Sequence, residues 1–552
     1  MLNYCRSLLS VFFLLFIFVS SSSQSNKKIP PDKPKLVIGI VIDQMRHDYL
    51  TRFWDKFGKD GFRRIAGEGT YCRNTRYDYL FTQTGPGHAT VATGTNPSIH
   101  GIISDEWYLW LKNQTISCTV NDKYSAVGGS YDNGRHSPEN LLSSTMGDEL
   151  KFSNFFKSKV VGISLDPSSA VLSAGHVADA AYWYDANNGK WITSTYYMDS
   201  LPAWVEEFNL KAFPHIYMER TWDTYLPIEE YTESLPDKNE YETGINDQIT
   251  FPYDLSAISK KWRRKNKVYD LLKYTPFGNS LTKDFAINAI VEEELGKDDI
   301  TDMLFVTFSS SEHVGELFGP NSVEIEDVFL RLDKDISHFM NFLDDEIGLE
   351  NVLIYMTSDH GVAPVPQYLI DRGVPGGVFN RNYAMSLLSS YLNVIYGKGD
   401  WIKYYFNQQL YLNQDLIEGS ELSLREFQET VAHFMLQYTG VSNVITSYTL
   451  MNTDFSGGIF KKIQNSYHQK RSGDVIINLS PGWIEKSGNV TLHNSSYVYD
   501  AHVPLIWYGW KIKRKSLYRP VSPTDIAPTI AHFLGILAPN GSTGEPIYEM
   551  ID

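Results

Sequence analysis

The sequence predicts an α/β protein with a central, mostly parallel sheet that is covered by helices on both faces. Continuous apolar segments, each bordered by polar residues, occur at 36–42, 303–308, 352–357 and 503–508. Such segments are typical of strands in a parallel sheet that is buried on both faces. Segments with helical periodicity lie between or after them, among them 323–343 and 424–438.

The first residues have the pattern of a targeting segment. Arg6 precedes a largely apolar run at 8–19, and four serines follow at 20–23. This run is too short to span a bilayer, which needs about 20 residues. The pattern predicts a signal peptide over 1–23 that is cleaved on export, with an uncleaved anchor as the alternative. We therefore expect a periplasmic or secreted protein without a membrane span after cleavage.

The rest of the chain is expected to form a linker and one large domain. Residues 24–34 are rich in Lys and Pro and are assigned to the linker, and residues 35–552 to the domain. The irregular stretch around 195–275 is predicted to be an insertion or cap over the sheet. A net charge of −16 excludes a nucleic-acid duplex as partner, because no basic surplus can neutralise its phosphates. We expect a monomer.

Two cysteines remain once the signal peptide is removed, Cys72 and Cys118. An even pair in an exported protein predicts one disulfide bond, because the compartment is oxidising. The alternative is a pair of buried thiols.

The segment TGPGH, which starts at Thr84, opens a run of small residues that is compatible with a helix. Pro just inside a helix and a hydroxyl residue before it are typical of helix N-termini. A hydroxyl at this position faces unpaired backbone N–H groups and the positive end of the helix dipole. It would suit a nucleophile that attacks an anion; an ordinary N-cap is the alternative.

Carboxylates, imidazoles and this hydroxyl occur near the predicted strand ends. They are Asp43, Thr84, Glu312, Glu316, Asp359, His360 and His502. Sites in such sheets form at the carboxyl ends of the strands, and a set of this kind is what a two-metal hydrolytic site needs. Taken singly, the Asp-His-Gly segment could be a satisfied turn and the Glu pair a solvated helix face.

Longer motifs point to a family. They read IDQMRHDYL at 42–50, TGPGHAT at 84–90, GHVADAAYWYD at 175–185, FGPNSVEIEDVFLRLDKDI at 318–336, TSDHG at 357–361, YDAHVP at 499–504 and SPTDIAPTIAHFLGI at 522–536. The chain resembles the alkaline phosphatase superfamily, most of all the secreted phosphate-irrepressible enzymes with a Thr nucleophile, which are similar to type I phosphodiesterases and nucleotide pyrophosphatases. The resemblance implies an alkaline-phosphatase-like fold and an exported, metal-dependent phosphoric ester hydrolase.

The resemblance also implies two divalent metal ions, which are Zn²⁺ in the family. One ligand set is matched whole by Asp43, Asp359 and His360, and Thr84 matches the nucleophile beside it.

The second implied ligand set is altered and comprises Glu312, Glu316 and His502. Glu316 stands where the family has His. Because this exchange adds a hard oxygen ligand, Mg²⁺ or Mn²⁺ becomes plausible at the second site.

The implied phosphate pocket is altered as well. Asp105 stands where the family has Asn, and Asp166 and Ser168 stand where it has Lys and Arg. Each change makes the pocket more negative, which disfavours a phosphate monoester dianion. Either an additional hard cation among Asp105, Asp166 and Glu316 compensates, or the small phosphoester substrate carries less charge, as a phosphodiester does.

Two functions remain open at this point. The first is a phosphoester hydrolase with shifted specificity, and the second is a catalytically impaired family member that acts as a binding protein. A sulfatase is excluded, because TGPGH at 84–88 lacks the Cys or Ser from which those enzymes make their nucleophile.

Overall fold

The computed structural model describes residues 30–131, 133–263 and 268–551. The predicted signal peptide and most of the linker lie outside the described residues. Among the helices in these ranges, none has the length and apolar character that crossing a bilayer requires.

Strands and helices alternate along most of the chain. The strands are β1 Leu36–Ile42, β2 Thr70–Arg76, β3 Glu106–Leu109, β4 Gln114–Ser117, β5 Ala126–Val127, β6 Val160–Ser164, β7 Ala180–Asp185, β8 Lys190–Ser194, β9 Thr221–Trp222, β10 Tyr253–Asp254, β11 Asp302–Phe308, β12 Val352–Thr357, β13 Gly377–Phe379, β14 Ile402–Phe406, β15 Gln409–Leu412, β16 Val441–Thr446, β17 Val475–Leu479, β18 Trp483–Glu485, β19 His502–Gly509 and β20 Lys515–Leu517. The α-helices are His47–Arg52, Phe62–Glu68, Thr84–Thr93, Pro97–His100, Met146–Ser153, Pro167–Ala174, Ala203–Leu210, Phe213–Met218, Leu255–Arg263, Phe277–Glu292, Ser310–Phe318, Val323–Glu346, Pro366–Asp371, Arg381–Tyr396, Gln414–Gly419, Leu424–Leu436, Ser447–Asn452, Gly458–Ser466, Val498–Ala501 and Ile526–Leu534.

A ten-stranded sheet forms the centre, in the order β20-β2-β19-β12-β1-β11-β6-β7-β8-β5. Strands β12, β1, β11, β6 and β7 run parallel to their neighbours within this group. The predicted α/β fold class with a mostly parallel sheet is confirmed.

Helices cover both faces of this sheet, as the continuous apolar strands predict. Ile38 and Ile40 of β1 belong to a cluster with residues of the helices Phe277–Glu292 and Val323–Glu346. Val37, the alternate residue, packs into a second cluster that includes the helix Ile526–Leu534. The strand is therefore buried from both sides.

The segment predicted as a fourth parallel strand forms β19, but it runs antiparallel to both β12 and β2. The expected parallel direction is wrong for a topological reason. The chain that leaves β12 pairs with the chain that enters β19, since the amides of Gly361 and Val362 donate to the carbonyls of Asp500 and Tyr499. The chain thus returns to the sheet at the edge where it left.

A smaller sheet lies between these two points of the chain, in the order β14-β15-β17-β16. The helices Arg381–Tyr396 and Leu424–Leu436 pack on it and share a separate apolar cluster. The helix predicted at 424–438 is therefore present, but it covers this smaller sheet.

The stretch predicted as an insertion packs tightly on the main body. It contributes Trp222 and Tyr253 to the largest apolar cluster. The indole of Trp222 donates a 2.7 Å hydrogen bond to Asp327 on the helix Val323–Glu346. Its last turn, Asp270–Tyr274, leads toward the carboxyl edge of the sheet.

The predicted disulfide bond is not formed. Cys72 and Cys118 are both free and buried. Cys72 lies in the cluster around Trp507 and Ile526, whereas Cys118 packs with Ile102 and Trp107 in another. Each thiol is enclosed by its own apolar neighbours, which is the alternative that the sequence left open.

Candidate active site

The parallel strands β1, β11 and β12 end together and bring three polar segments to one edge of the sheet. Ile42 pairs with Phe308, and Val41 pairs with Thr357. Asp43 follows β1, the helix Ser310–Phe318 follows β11, and Asp359 and His360 follow β12. This edge is where a sheet of this type forms its site.

Asp43, Asp359 and His360 form a fully buried group. Nε2 of His360 lies 3.6 Å from Oδ1 of Asp43 and 3.5 Å from Oδ2 of Asp359. Each of the three residues offers a ligand atom within 4.8 Å of the others. The structure thus brings together the whole of the first predicted ligand set.

The electrostatics of this group fit a divalent cation. Both carboxylate oxygens of Asp43 and Oδ2 of Asp359 are buried and have no hydrogen-bond partner among the described residues. Burial raises the pKa of both acids, and nearby carboxylates raise it further. Burial lowers the pKa of His360 to about 3, which keeps its ring neutral. Its Nδ1 faces the Gly361 carbonyl at 2.9 Å, so Nε2 is left to act as a ligand.

Thr84 begins the helix Thr84–Thr93 and points its hydroxyl at this group. Oγ1 lies 3.4 Å from Nε2 of His360 and 3.4 Å from Oε1 of Glu312. The N-cap position belongs to Gln83, which makes no capping hydrogen bond through its side chain. The hydroxyl of Thr84 is therefore directed into the acidic cluster.

A second group of potential ligands contains a residue that the sequence reasoning missed, His493. Its Nε2 lies 3.2 Å from Oε1 of Glu312, and its ring stacks on His360 at 3.7 Å between centroids. Glu312, His360 and His493 again offer ligand atoms within 4.8 Å of one another. His493 lies in a loop between β18 and the helix Val498–Ala501, where no local pattern marks it as a ligand.

His502, the predicted ligand, is not part of this cluster. It starts β19, stacks on His47 at 4.0 Å and faces the Arg73 carbonyl through Nε2 at 3.1 Å. It reaches the expected edge, but its ring lies against β2, and His493 is the histidine that lies beside Glu312 instead.

Glu316 lies one turn after Glu312 on the same helix, close to the cluster but engaged elsewhere. Its Oε2 accepts a 2.7 Å hydrogen bond from Asn489. Burial raises the pKa of Glu316, and the charge of Glu312 adds to this effect.

Asp105 lies beside the nucleophile segment. Its Oδ1 accepts a 2.7 Å hydrogen bond from the backbone N–H of Gly85. Burial raises the pKa of Asp105 to about 6, although this hydrogen bond acts in the opposite direction. The carboxylate thus covers an amide at the helix N-terminus that an anionic substrate could otherwise use.

Asp166 precedes the helix Pro167–Ala174, whose first turn contains Ser168, and its carboxylate is held by a lysine and a histidine. Lys273 Nζ lies 2.6 Å from its Oδ1, and His313 Nε2 lies 3.0 Å from its Oδ2. Burial would raise the pKa of Asp166, but these two partners hold it far below its usual range. The sequence reasoning missed Lys273, because nothing in the irregular insertion predicts that it reaches the site.

An additional hard cation among Asp105, Asp166 and Glu316 would have to share these carboxylates with donors of the chain, and Asp166 also offers a ligand atom within 4.8 Å of Glu312 and His313. Each carboxylate already accepts a hydrogen bond, from Gly85, Lys273 or Asn489 respectively. The negative charge of Asp166 is compensated by Lys273, so the pocket is less acidic than the sequence comparison implied.

His88, from the motif that contains Thr84, supports the first ligand group. Its Nδ1 lies 3.0 Å from the Ser173 hydroxyl, and its Nε2 lies 3.6 Å from Oδ2 of Asp359. The ring is fully buried beside this carboxylate.

Comparison with known proteins shows the family of the chain. The family model for type I phosphodiesterase/nucleotide pyrophosphatase matches residues 37–495. The chain therefore belongs to this family, within the alkaline phosphatase superfamily, and the predicted resemblance and enzyme class, a phosphoric ester hydrolase, are confirmed at that level.

Individual relatives cover nearly the whole chain. Alkaline phosphatase PafA of Elizabethkingia meningoseptica is 38% identical over 546 residues, which is 98% of each protein. A Myroides odoratus protein named calcium-transporting ATPase is 40% identical over 541 residues, 97% of each. The crystal structure of wild-type PafA superimposes with a TM-score of 0.90 and covers 94% of this chain and 99% of its own. Murine ectonucleotide pyrophosphatase/phosphodiesterase 5, at 13% identity and a TM-score of 0.52, shares the fold.

Proposed function

We propose that the chain is an exported, metal-dependent phosphoester hydrolase in which Thr84 is the nucleophile, and that it favours phosphodiesters over phosphate monoester dianions. The observation that carries the proposal is the position of the Thr84 hydroxyl, 3.4 Å from both His360 and Glu312. Export rests on the sequence of 1–23, which lies outside the described residues.

Two cations fit the donor atoms of the site. Asp43, Asp359 and His360 would hold the first, and Glu312 with His493 would hold the second, with Glu316 one turn away. Bound there, divalent ions would stabilise the nucleophile as an anion and the oxygen that leaves phosphorus. By resemblance to the family, the first group would hold Zn²⁺. The second offers a carboxylate and an imidazole, a set that also accepts Mn²⁺.

The chain's own residues then have separable roles. The helix N-terminus orients Thr84 and favours negative charge at its hydroxyl oxygen. Glu312 Oε1 lies 3.4 Å from the Thr84 hydroxyl and orients it. The hydroxyl proton passes to solvent water, and solvent water returns a proton to the departing alcohol oxygen. In the first step a bond forms between Thr84 Oγ1 and phosphorus, and the bond from phosphorus to the leaving alcohol oxygen breaks. In the second step water displaces Thr84 and the phosphate product is released.

The charge around the phosphoryl position supports a substrate of low charge. Asp105 places a carboxyl group on the Gly85 amide, where the family has a neutral Asn. Asp166 is balanced by Lys273, where the family has two cations. Because a phosphodiester carries one negative charge, it meets less repulsion here than a monoester dianion does.

The test compares a monoester with a diester of the same leaving group, p-nitrophenyl phosphate and bis(p-nitrophenyl) phosphate, on the purified protein reloaded with Zn²⁺, Mg²⁺ or Mn²⁺. We expect a higher kcat/KM for the diester than for the monoester, and we expect Thr84→Ala to lose diester hydrolysis. The matched control is Thr93→Ala, since Thr93 lies on the same helix and, within the part of the chain that the structure describes, its hydroxyl donates only to the Ala89 carbonyl. Absence of hydrolysis with every metal would contradict the proposal and favour a binding protein.

A further inference from the structure

A lysine from the insertion reaches the pocket. Lys273 belongs to the turn Asp270–Tyr274, and its Nζ lies 2.6 Å from Oδ1 of Asp166. The two side chains are 13% and 19% exposed, so the ion pair is largely shielded from water. His313 Nε2 binds the other carboxylate oxygen at 3.0 Å. Asp166 is thus a fixed anchor for two donors.

This anchor lies beside the reacting groups. His313 directly follows Glu312 on the helix Ser310–Phe318. Ligand atoms of Asp166, Glu312 and His313 lie within 4.8 Å of one another. Glu312 in turn lies 3.4 Å from the Thr84 hydroxyl. The Lys273 ammonium is therefore connected to the nucleophile through two residues, Asp166 and Glu312.

Lys273 keeps its charge in this setting. Burial alone would lower the pKa of its ammonium, but the Asp166 carboxylate outweighs burial and raises it. An ammonium has three donors, and the contact with Asp166 uses one of them. Two donors therefore remain for a ligand.

We propose that Lys273 is the specificity-determining cation of this site: positioned by Asp166 and His313, its ammonium binds a non-bridging oxygen of the phosphoester and tunes the pocket to singly charged substrates. This inference rests on the proposed function. The charge of Lys273 is offset by Asp166, so this part of the pocket lacks the excess positive charge that would compensate a second negative charge on the substrate.

A structural ion pair is the competing explanation, and the chain contains a matched pair to separate the two. Lys283 Nζ lies 3.1 Å from Oδ1 of Asp335, with side chains 10% and 12% exposed. This pair joins the helices Phe277–Glu292 and Val323–Glu346. The exposure of its side chains is similar to that of the Lys273 pair, and each carboxylate keeps one further partner when its lysine is lost, His313 for Asp166 and Ser280 for Asp335. The two losses should therefore cost a similar amount of stability.

The experiment measures kcat/KM of the metal-loaded protein for three p-nitrophenyl esters: a monoester dianion, a diester monoanion and a neutral triester. We expect Lys273→Met to reduce kcat/KM for the diester about 100-fold, the usual effect of losing one donor to a developing anion. The neutral triester should change less than about threefold, and Lys273→Arg should restore most of the diester activity. Lys283→Met should lower the melting temperature comparably but leave the ratios among substrates unchanged.

Binding of dimethyl phosphate, measured by calorimetry, provides a readout that does not depend on turnover. We expect about tenfold weaker binding to Lys273→Met than to the wild type or Lys283→Met, since a charged hydrogen bond is worth about 1.5 kcal/mol or more. Equal losses for all three esters, or unchanged binding in Lys273→Met, would overturn the role of Lys273. If the wild type hydrolyses none of the esters but Lys273→Met still binds dimethyl phosphate more weakly than the wild type, the proposed hydrolase is refuted and the inference is supported.

Discussion

Replacing Asp105 by Asn should stabilise the protein at alkaline pH and improve monoester hydrolysis. Burial raises the pKa of Asp105 from 3.8 to about 6, so ionisation is harder in the folded protein than in the unfolded chain. Asn keeps the carbonyl oxygen that accepts from Gly85 and removes the charge. The shift corresponds to about 3 kcal/mol in the absence of metal, and bound cations reduce it by favouring the carboxylate.

The sign of the pH dependence follows from the raised pKa. Wild-type stability that is present below about pH 4 is lost as the pH rises through about 6, whereas Asn does not titrate. The variant should therefore equal the wild type near pH 4 and exceed it by about 1–3 kcal/mol at pH 8.

Urea unfolding from pH 4 to 8, with and without metal, measures this difference. Asp333→Asn is the contrast, because burial also raises the pKa of Asp333 to about 6 but both its oxygens accept backbone N–H groups. An amide cannot accept at both positions, so that variant should not be stabilised. A gain for Asp105→Asn that is the same at pH 4 and pH 8, or no gain at all, would refute the reasoning.

Two further results are expected. His493→Ala should lose about one metal ion per chain while His502→Ala retains both, as elemental analysis after gel filtration would show; the reverse would restore His502 as the ligand. In the protein without its signal peptide, Cys72 and Cys118 should both react with a thiol reagent, but only after unfolding. Its melting temperature should not change when reductant is added. If neither thiol reacts after unfolding unless reductant is added, the disulfide bond is established instead.

The central fold could be predicted because the apolar runs of β1, β11 and β12 and the helical periodicity of the segments beside them are visible in short stretches of sequence. Asp43, Asp359 and His360 could be named as candidates because each lies within three residues of the end of such a strand, and the family resemblance grouped them into one ligand set. The direction of β19 could not be predicted, because it depends on where the smaller sheet returns the chain.

The remaining parts of the site depend on long-range packing. His502 and His493 both lie near the edge of the sheet, and only the three-dimensional path of the loop before the helix Val498–Ala501 decides which ring meets Glu312. Lys273 reaches Asp166 from an insertion without a recognisable pattern. The excess negative charge inferred from aligned positions was overestimated, because such a comparison omits cations that arrive from elsewhere in the chain.

The role of Thr84 can be tested most directly by trapping the covalent intermediate. Metal-loaded protein is mixed with a phosphodiester, quenched in acid within the first turnover, digested and examined by mass spectrometry. The account predicts a peptide containing Thr84 that carries the transferred phosphoryl group, and no such adduct in Thr84→Ala. An adduct on another residue, or undiminished hydrolysis by Thr84→Ala, would contradict it.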